Sequence, residues 1–454
     1  MFPNPQDALP LPRKPNLEHY KKLAKDLVKA CRDFRSGDTN ALTTWSERWL
    51  KSLARFVITR PDADRLDRWL NRMTDQVEGF ARRQLTESNK ACRIGDAQFV
   101  IARSSGFSGW QTFVKHINSL AKKDSPVAKF EEAVEAVISG DVRTLKRLLR
   151  ANPQLVQERS TRNHRSTLLH YVSANGVEGY RQQTPKNAVE IAELLLKAGA
   201  EVDAEADVYG GGATTLGLVG TSVHPFRAGV QNPLMLVLLD HGADINHPRS
   251  AGNEQPAVLG CLANGRPTAA RYLAERGARL NLESAAGVGN LDVVKSYFRH
   301  DGSPKSKVSN KQVSSALLTA CVWGQNNVIE FFLKNGVDLG THGGDGQTPL
   351  HCAAIGGQLE TIKLLLKWKP ALEARNIYGG TVLGQTLWSA SHGGDPKLFS
   401  EIIETLIAAG AKVSERHVPV NKTIDNLLRR YGSRPEPSWY WFGEKPKDRG
   451  LKKA

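Results

Sequence analysis

One pattern recurs along this chain and limits the folds open to it: an amphipathic helical segment that ends in glycine before a short turn. The segments are AVEIAELLLKAGAEVD, PLMLVLLDHGADIN, TAARYLAERGARLN, NNVIEFFLKNGVDL and LFSEIIETLIAAGAKV, with glycines at Gly199, Gly242, Gly277, Gly336 and Gly410. Glycine suits this position because the chain must adopt a positive φ to leave the helix. A unit of this size cannot bury its paired leucines alone, so successive units must stack. The sequence therefore predicts a stack of repeated helical units.

Residues 345–368, DGQTPLHCAAIGGQLETIKLLLKW, hold the most complete version of the unit. They resemble the ankyrin-repeat consensus, which has a turn, a TPLH-type helix start, a short helix, a glycine turn and a leucine-rich second helix. Weaker copies bring the number to eight between about 130 and 415, within a family whose period is about 33 residues. These copies begin at FEEAVEAVISG, STLLHYVSANG, ATTLGLVGTS, PAVLGCLANG, ESAAGVGN, SALLTACVWG and TVLGQTLWSA. The resemblance implies an all-α solenoid of paired antiparallel helices with short β-hairpin fingers, and a role in binding other proteins.

The histidine of the TPLH-type start is represented here by His170 and His351. In ankyrin repeats this histidine usually ties neighbouring repeats together through hydrogen bonds to the loop backbone. The resemblance therefore implies a structural role for both imidazoles.

Two regions flank the repeats. We expect residues 1–125 to form a helical module, because apolar residues such as Leu17, Tyr20, Leu23 and Leu27 recur at helical spacing. Residues 126–418 hold the repeats, and 419–454 hold a capping helix and a basic tail with the aromatic run Trp439, Tyr440, Trp441 and Phe442. The whole arrangement resembles bacterial ankyrin-repeat proteins with an N-terminal module of the type PNLEHYKKLAKDL…DAQFVIARSSGFSGWQTFVKHI.

The second and third repeats depart from the consensus. Each carries an insertion between its two helices, VEGYRQQTPKN at 177–187 and VHPFRAGVQN at 223–232, where a few residues are usual. Conversely, the segment that connects RYLAERGARLN to the next repeat, ESAAGVGN, is too short for a complete finger. We therefore expect an interrupted row of fingers and a binding surface in two halves.

Binding in ankyrin repeats commonly uses the finger tips and the exposed turn of the first helix. Mapped onto this sequence, those positions are Asn163, His164, Asn175, Tyr209, Ser222, Gln255, Asn264, Trp323, Asp345, Gln347 and Trp388. Nearly all are uncharged, and the set combines adaptable hydrogen-bonding side chains with large aromatic anchors, as protein-recognition surfaces do. The hypothesis is a non-enzymatic scaffold that binds a partner protein along this concave surface.

An enzyme is the first alternative. His170, Tyr171, Glu178, Tyr209 and His224 lie in or beside the two inserted loops and could converge on a small-molecule pocket. A base, an acid and hydrogen-bonding groups would suffice for proton transfer. However, no spacing motif such as HExxH or GxSxG supports this interpretation.

The formal charge of +16 raises a second alternative, nucleic-acid binding through the N-terminal module. Residues 1–124 hold about 23 Lys and Arg against about 14 Asp and Glu, which is more than half of the excess. These charges alternate with acids, as in KKLAKDLVKACRDFR, and alternation is typical of solvated helix faces. The pattern disfavours nucleic acid as the partner.

The five cysteines, Cys31, Cys92, Cys261, Cys321 and Cys352, are odd in number and scattered. We therefore expect neither a disulfide framework nor a zinc site, and a reducing cytoplasm as the location. The N-terminus has prolines and charges where a secretory signal needs an apolar run, and no stretch approaches the roughly 18 apolar residues of a membrane span. A monomer without metal or cofactor is predicted.

Overall fold

The computed structural model describes residues 3–12, 14–56, 63–86, 91–248 and 257–436. The chain divides into two compact units, which we call unit 1 (Met1–Leu273) and unit 2 (Ala274–Ala454). Helices dominate both units, as the sequence predicts, and the strands of the described residues are two residues long. The predicted domain boundaries at 125 and 418 stay predictions.

The N-terminal part of unit 1 is a helical bundle. Its helices are α1 (Leu17–Arg35), α2 (Ala41–Leu53), α3 (Ala63–Leu85), α4 (Ile94–Ser104) and α5 (Trp110–Leu120), with 3-10 turns at Pro5–Asp7 and Ala54–Phe56. The apolar stripe of α1 packs into one core with aromatic side chains of α2 and α5, among them Trp49 and Phe113. We call residues 14–120 the N-terminal module.

Paired helices follow in unit 1. They are α6 (Pro126–Ser139), α7 (Val142–Ala151), α8 (Leu168–Val172), α9 (Ala188–Lys197), α10 (Thr215–Thr221), α11 (Val223–Arg227), α12 (Gln231–Asp240), α13 (Ala257–Ala263) and α14 (Pro267–Glu275). The first helices stack in the order α6, α8, α10, α13, and the second helices α9 and α12 pack together. Strands β1 (Glu205–Ala206) and β2 (Ala213–Thr214) pair antiparallel and form a finger. The insertion at 177–187 contains a 3-10 turn, Gly179–Arg181, and α11 lies in the insertion at 223–232.

Unit 2 repeats the same arrangement. Its helices are α15 (Leu282–Val288), α16 (Leu291–Ser296), α17 (Asn310–Val322), α18 (Asn326–Lys334), α19 (Pro349–Ile355), α20 (Leu359–Leu366), α21 (Val382–Ser391), α22 (Pro396–Ala408) and α23 (Lys422–Arg430). The first helices stack in the order α15, α17, α19, α21, and the second helices in the order α16, α18, α20, α22. Helix α23 packs on α22, as expected of a cap. Strands β3 (Arg416–His417) and β4 (Arg434–Pro435) pair parallel.

The glycine signature of the sequence is confirmed. The five glycines that were expected to end second helices all have φ between 78° and 105°. Residues 276–281, between α14 and α15, form no strand, and the predicted interruption of the fingers stays a prediction because the other fingers of unit 2 form no strand either.

The expectation about cysteines is wrong for one pair. Cys31 in α1 and Cys92 just before α4 form a disulfide across 61 residues of sequence. The reason is topological: α4 packs against α1, which brings two distant positions together. Cys261, Cys321 and Cys352 are free and buried. Within the described residues, no helix is both long and apolar enough to span a membrane.

Candidate functional site

The TPLH-type histidines hold the fingers to the first helices. The imidazole Nδ1 of His170 lies 2.8 Å from Thr167 Oγ1, and its Nε2 lies 3.2 Å from the carbonyl oxygen of Ala213. His351 repeats this geometry with Thr348 at 2.8 Å and the carbonyl oxygen of Gly380 at 3.2 Å. Each imidazole therefore links its own helix to the following finger, which confirms the structural role predicted for both.

The finger before α21 is held in shape by hydrogen bonds to the side chain of Asn376. Its carboxamide oxygen accepts from the backbone N–H groups of Tyr378 (3.1 Å) and Gly380 (2.9 Å). The N–H of Ile377 donates to the carbonyl oxygen of Asp345, on the preceding finger, at 3.0 Å. These bonds fix the tip of the finger and join it to its neighbour.

Three large apolar side chains are exposed on this finger and on α21, the helix that follows it. The exposed fractions are 79% for Tyr378, 66% for Ile377 and 55% for Trp388. The indole of Trp388 stacks on the His392 imidazole, with ring centroids 4.1 Å apart. These three side chains belong to one finger and the helix that follows it, and exposed apolar groups that form a patch mark interaction sites in folded proteins.

The other predicted binding residues of unit 2 lie nearby in sequence. Asp345 and Gln347 are half-buried on the preceding finger, where a carboxylate oxygen of Asp345 accepts from the Gln347 N–H at 3.2 Å. Trp323 caps the C-terminus of α17 and is half-buried. Sequence reasoning selected Trp388 and missed Ile377 and Tyr378. The missed signal is an apolar pair at a finger tip, where the preceding finger has Gly344 and Asp345 at the equivalent positions.

In unit 1, two of the predicted binding residues are buried. His164 and Ser222 are 1% and 3% exposed, so neither can form a contact surface. The reason lies in local packing: the N–H of Ser166 donates to His164 Nδ1, and the Ser222 hydroxyl accepts from the His224 N–H. The prediction of these two as surface contacts is wrong.

The remaining predicted positions of unit 1 are at least partly accessible. Asn163 and Asn175 are half-buried, Tyr209 is exposed at the tip of the β1–β2 finger, and Asn264 is exposed after α13. The Asn163 N–H donates to the carbonyl oxygen of Gly106 in the N-terminal module. Gln255 lies outside the described residues.

A buried ionic network joins the N-terminal module to the first repeats. Glu178, in the first insertion, contacts Arg162 Nε at 2.6 Å and Arg181 Nη1 at 3.1 Å, and its side chain is 0% exposed. Arg181 also contacts Glu131 at 2.6 Å and Glu135 at 3.0 Å. The guanidinium of Arg162 also donates a hydrogen bond to the carbonyl oxygen of Ser105 in the module. We call Glu131, Glu135, Arg162, Glu178 and Arg181 the buried ionic network.

This network explains the state of Glu178. Burial alone would raise the pKa of its carboxyl, but the guanidinium groups of Arg181 and Arg162 outweigh burial and hold the pKa well below its ordinary value. The group is therefore a permanent carboxylate that balances two arginines, which is a structural role.

The five residues of the enzyme alternative do not share a pocket. His170, Tyr171 and Glu178 are fully buried, and both imidazole nitrogens of His170 and the Oε1 atom of Glu178 have the partners described above. Tyr209 contacts Asn175 at the finger tip, and His224 lies on α11. The contacts given for these five side chains do not bring a base and an acid together beside an accessible space, so they do not support catalysis.

The buried histidines predict a pH dependence of stability. Burial lowers the pKa of His116 from 6.5 to about 4. Because the folded-state pKa is the lower one, the unfolded chain binds the proton first, and stability is lost as pH falls from 6.5 towards 4. We expect His116 to account for a loss of about 3 kcal/mol over this range.

Urea unfolding at a series of pH values measures this slope. The variant His116→Asn should flatten it, because asparagine does not titrate. His170, whose pKa burial also lowers to about 4, should still contribute its share in that variant. An unchanged slope in His116→Asn would contradict the assignment.

Comparison with known proteins agrees with this geometry. Residues 282–377, from α15 to the finger that carries Ile377, match the family model for ankyrin repeats in three copies. With its stacked helix pairs and fingers, the chain has an all-α repeat fold of the ankyrin type, and ankyrin repeats such as those at 282–377 are a protein–protein interaction module. The human BCL-6 corepressor-like protein 1 is 30% identical over 121 residues, which are 26% of this chain and 7% of that protein. The chain thus matches a small fraction of that relative's length.

Proposed function

We propose that this protein binds a partner protein through the finger and first helix of the last repeat in unit 2. We define the contact surface as Ile377, Tyr378 and Trp388, with Asp345 and Gln347 at its edge. The observation that carries the proposal is the exposure of Tyr378, Ile377 and Trp388, at 79%, 66% and 55%. Tyrosine and tryptophan supply much contact area for few frozen torsions, and they dominate the binding energy of many interfaces.

The backbone of this surface is fixed before binding. Asn376 accepts two hydrogen bonds from the finger, and Ile377 donates one to Asp345. The stacking of Trp388 on His392 likewise restricts the indole. A surface that is already ordered loses less conformational entropy on binding, so a larger part of the contact energy appears as affinity.

Tyr378→Ala and Trp388→Ala should each weaken binding of the partner by about 2 kcal/mol or more, which is about 30-fold. Their exposure means that the free energy of unfolding should change little. The partner can be captured by a photo-crosslinking residue at position 377 of the full chain in native extract, and its affinity then measured by calorimetry.

Trp368→Ala is the matched control. Trp368 is 47% exposed at the end of the second helix α20, outside the proposed surface, and its loss should leave affinity unchanged. If all three substitutions act alike, or if the first two lower the unfolding midpoint without changing affinity, this surface is not the binding site.

Several finer properties stay predictions. They are the likeness of the N-terminal module to those of bacterial ankyrin-repeat proteins, the cytoplasmic location and the monomeric state. The basic residues of the module form pairs with acids one turn away on the same helix, such as Lys21 with Glu18 and Lys51 with Glu47. These pairs are in keeping with solvated helix faces, so we retain a protein as the proposed partner.

A further inference from the structure

The residues that precede α1 lie against the repeats of unit 1. Residues 3–12, PNPQDALPLP, form a 3-10 turn at Pro5–Asp7 and continue without regular structure, and we call them the N-terminal arm. Asp7, Ala8 and Leu9 are 9%, 4% and 1% exposed. A proline-rich segment of this kind has no core of its own, so its burial depends on the surfaces beside it.

One of these surfaces belongs to the N-terminal module. The N–H of Leu9 donates to the carbonyl oxygen of Ser104 at 2.8 Å, and the Leu9 side chain lies in the core of the module. Ala8 packs against Gly106, where an added Cβ would lie 3.0 Å from that of Ala8. Leu9 is therefore the apolar anchor of the arm.

The other surface belongs to the second and third repeats. Tyr209 Oη lies 3.0 Å from Gln6 Oε1 and 2.7 Å from Asn175 Oδ1. Gly179, in the first insertion, faces the carbonyl oxygen of Gln6 so closely that a Cβ on Gly179 would lie 2.6 Å from it. The arm thus occupies the finger tip and the helix turn where ankyrin repeats are expected to contact partners.

The arm is held by few bonds. Among the described residues, the N–H of Leu9 makes the arm's backbone hydrogen bond to the rest of the chain, while the N–H groups of Asp7 and Ala8 donate within the arm. Segments with few backbone bonds and little regular structure open at lower free energy than the core. Exchange of the arm for another segment is therefore feasible without unfolding unit 1.

We propose that the surface around Tyr209, Asn175 and Gly179, together with the apolar position beside Ser104 that receives Leu9, is a second binding site, specific for extended proline-flanked peptide segments with a leucine anchor. The arm fills this site in cis. A partner segment of the same chemistry enters by displacing it. Because a tethered segment has an effective concentration in the millimolar range, the arm weakens binding of any segment in trans. This site is independent of the surface proposed in unit 2.

The test uses a fluorescent synthetic peptide of residues 1–14 and the full chain. In the full chain, Leu9→Asp should release the arm, because a carboxylate cannot enter the apolar anchor position. We expect the peptide to bind saturably to Leu9→Asp, at least 10-fold tighter than to the unchanged chain. A peptide that itself carries Leu9→Asp, or a polyproline peptide of equal length, should not bind. Equal or absent binding to both chains, with circular dichroism unchanged, overturns the proposal.

A second variant covers the case in which Leu9→Asp fails to fold. Gly179→Ala should push the Gln6 carbonyl away, so hydrogen exchange in residues 3–12 should become at least 10-fold faster while α15 to α22 are unaffected. Where Leu9→Asp folds, adding Gly179→Ala to it should abolish binding of the peptide. Unchanged exchange of the arm in Gly179→Ala contradicts the proposed contact.

Discussion

Glu178→Gln is expected to lower the free energy of unfolding by about 3–5 kcal/mol, the usual cost of removing one partner from a buried ion pair. The substitution keeps the shape of the side chain but removes the charge that balances Arg162 and Arg181, both at most 7% exposed. A buried guanidinium without its counter-charge has lost its hydration, and no ion pair compensates for that loss. Urea unfolding followed by tryptophan fluorescence measures the change.

Glu135→Gln is the matched control, because Glu135 contacts the same arginine. Its carboxylate lies 3.0 Å from Arg181 Nη2, but its side chain is 48% exposed, so water replaces the lost contact. We expect a change of at most about 1 kcal/mol. Equal effects of the two substitutions would mean that burial does not determine the strength of this network.

Local sequence signals predicted the repeats and their internal ties. The glycines after second helices and the histidines of the TPLH-type starts act within one unit or on the next finger, so a short window contains the whole interaction. The fold class follows from this repetition, because each unit must bury its leucines against the next.

Long-range contacts of unit 1 were not predictable in the same way. Glu178 was read as a possible catalytic acid because it lies where the two inserted loops could converge, yet the arginines that neutralise it include Arg162, in the preceding loop. Similarly, Asn175 and Tyr209 were assigned to an open binding surface, and the arm residue that contacts Tyr209, Gln6, lies more than 160 residues earlier in the chain. Which distant segment covers a polar loop depends on packing that no local pattern records.

The exposed surface of unit 2 was predicted in part. Trp388 was selected because it follows the first-helix pattern of its repeat, and it is exposed. Trp323 was selected on the same argument but is half-buried, because it ends α17 and sits at the turn to α18. Equivalent positions in a repeat pattern therefore do not guarantee equal exposure when helix lengths differ.

The disulfide leads to the second large expected effect. Reduction of the Cys31–Cys92 bond should lower the free energy of unfolding by about 4 kcal/mol, because a closed loop of 61 residues restricts the unfolded chain. The loop contains α2 and α3, whose attachment to α1 and α4 the bond supports. Urea unfolding with and without reductant, followed by the fluorescence of Trp45 and Trp49 in α2, measures the difference.

Three controls isolate this bond. Thiol labelling of the denatured protein should count the three free cysteines before reduction and all five after it. In the double variant Cys31→Ala, Cys92→Ala, the reductant should have no effect on unfolding, and the stability should resemble that of the reduced protein. Cys352→Ala, which removes a buried free thiol, should retain the full response to reductant. If five thiols react before reduction, the disulfide is not formed. The apolar contacts between α1 and α4 then hold the two helices together without it.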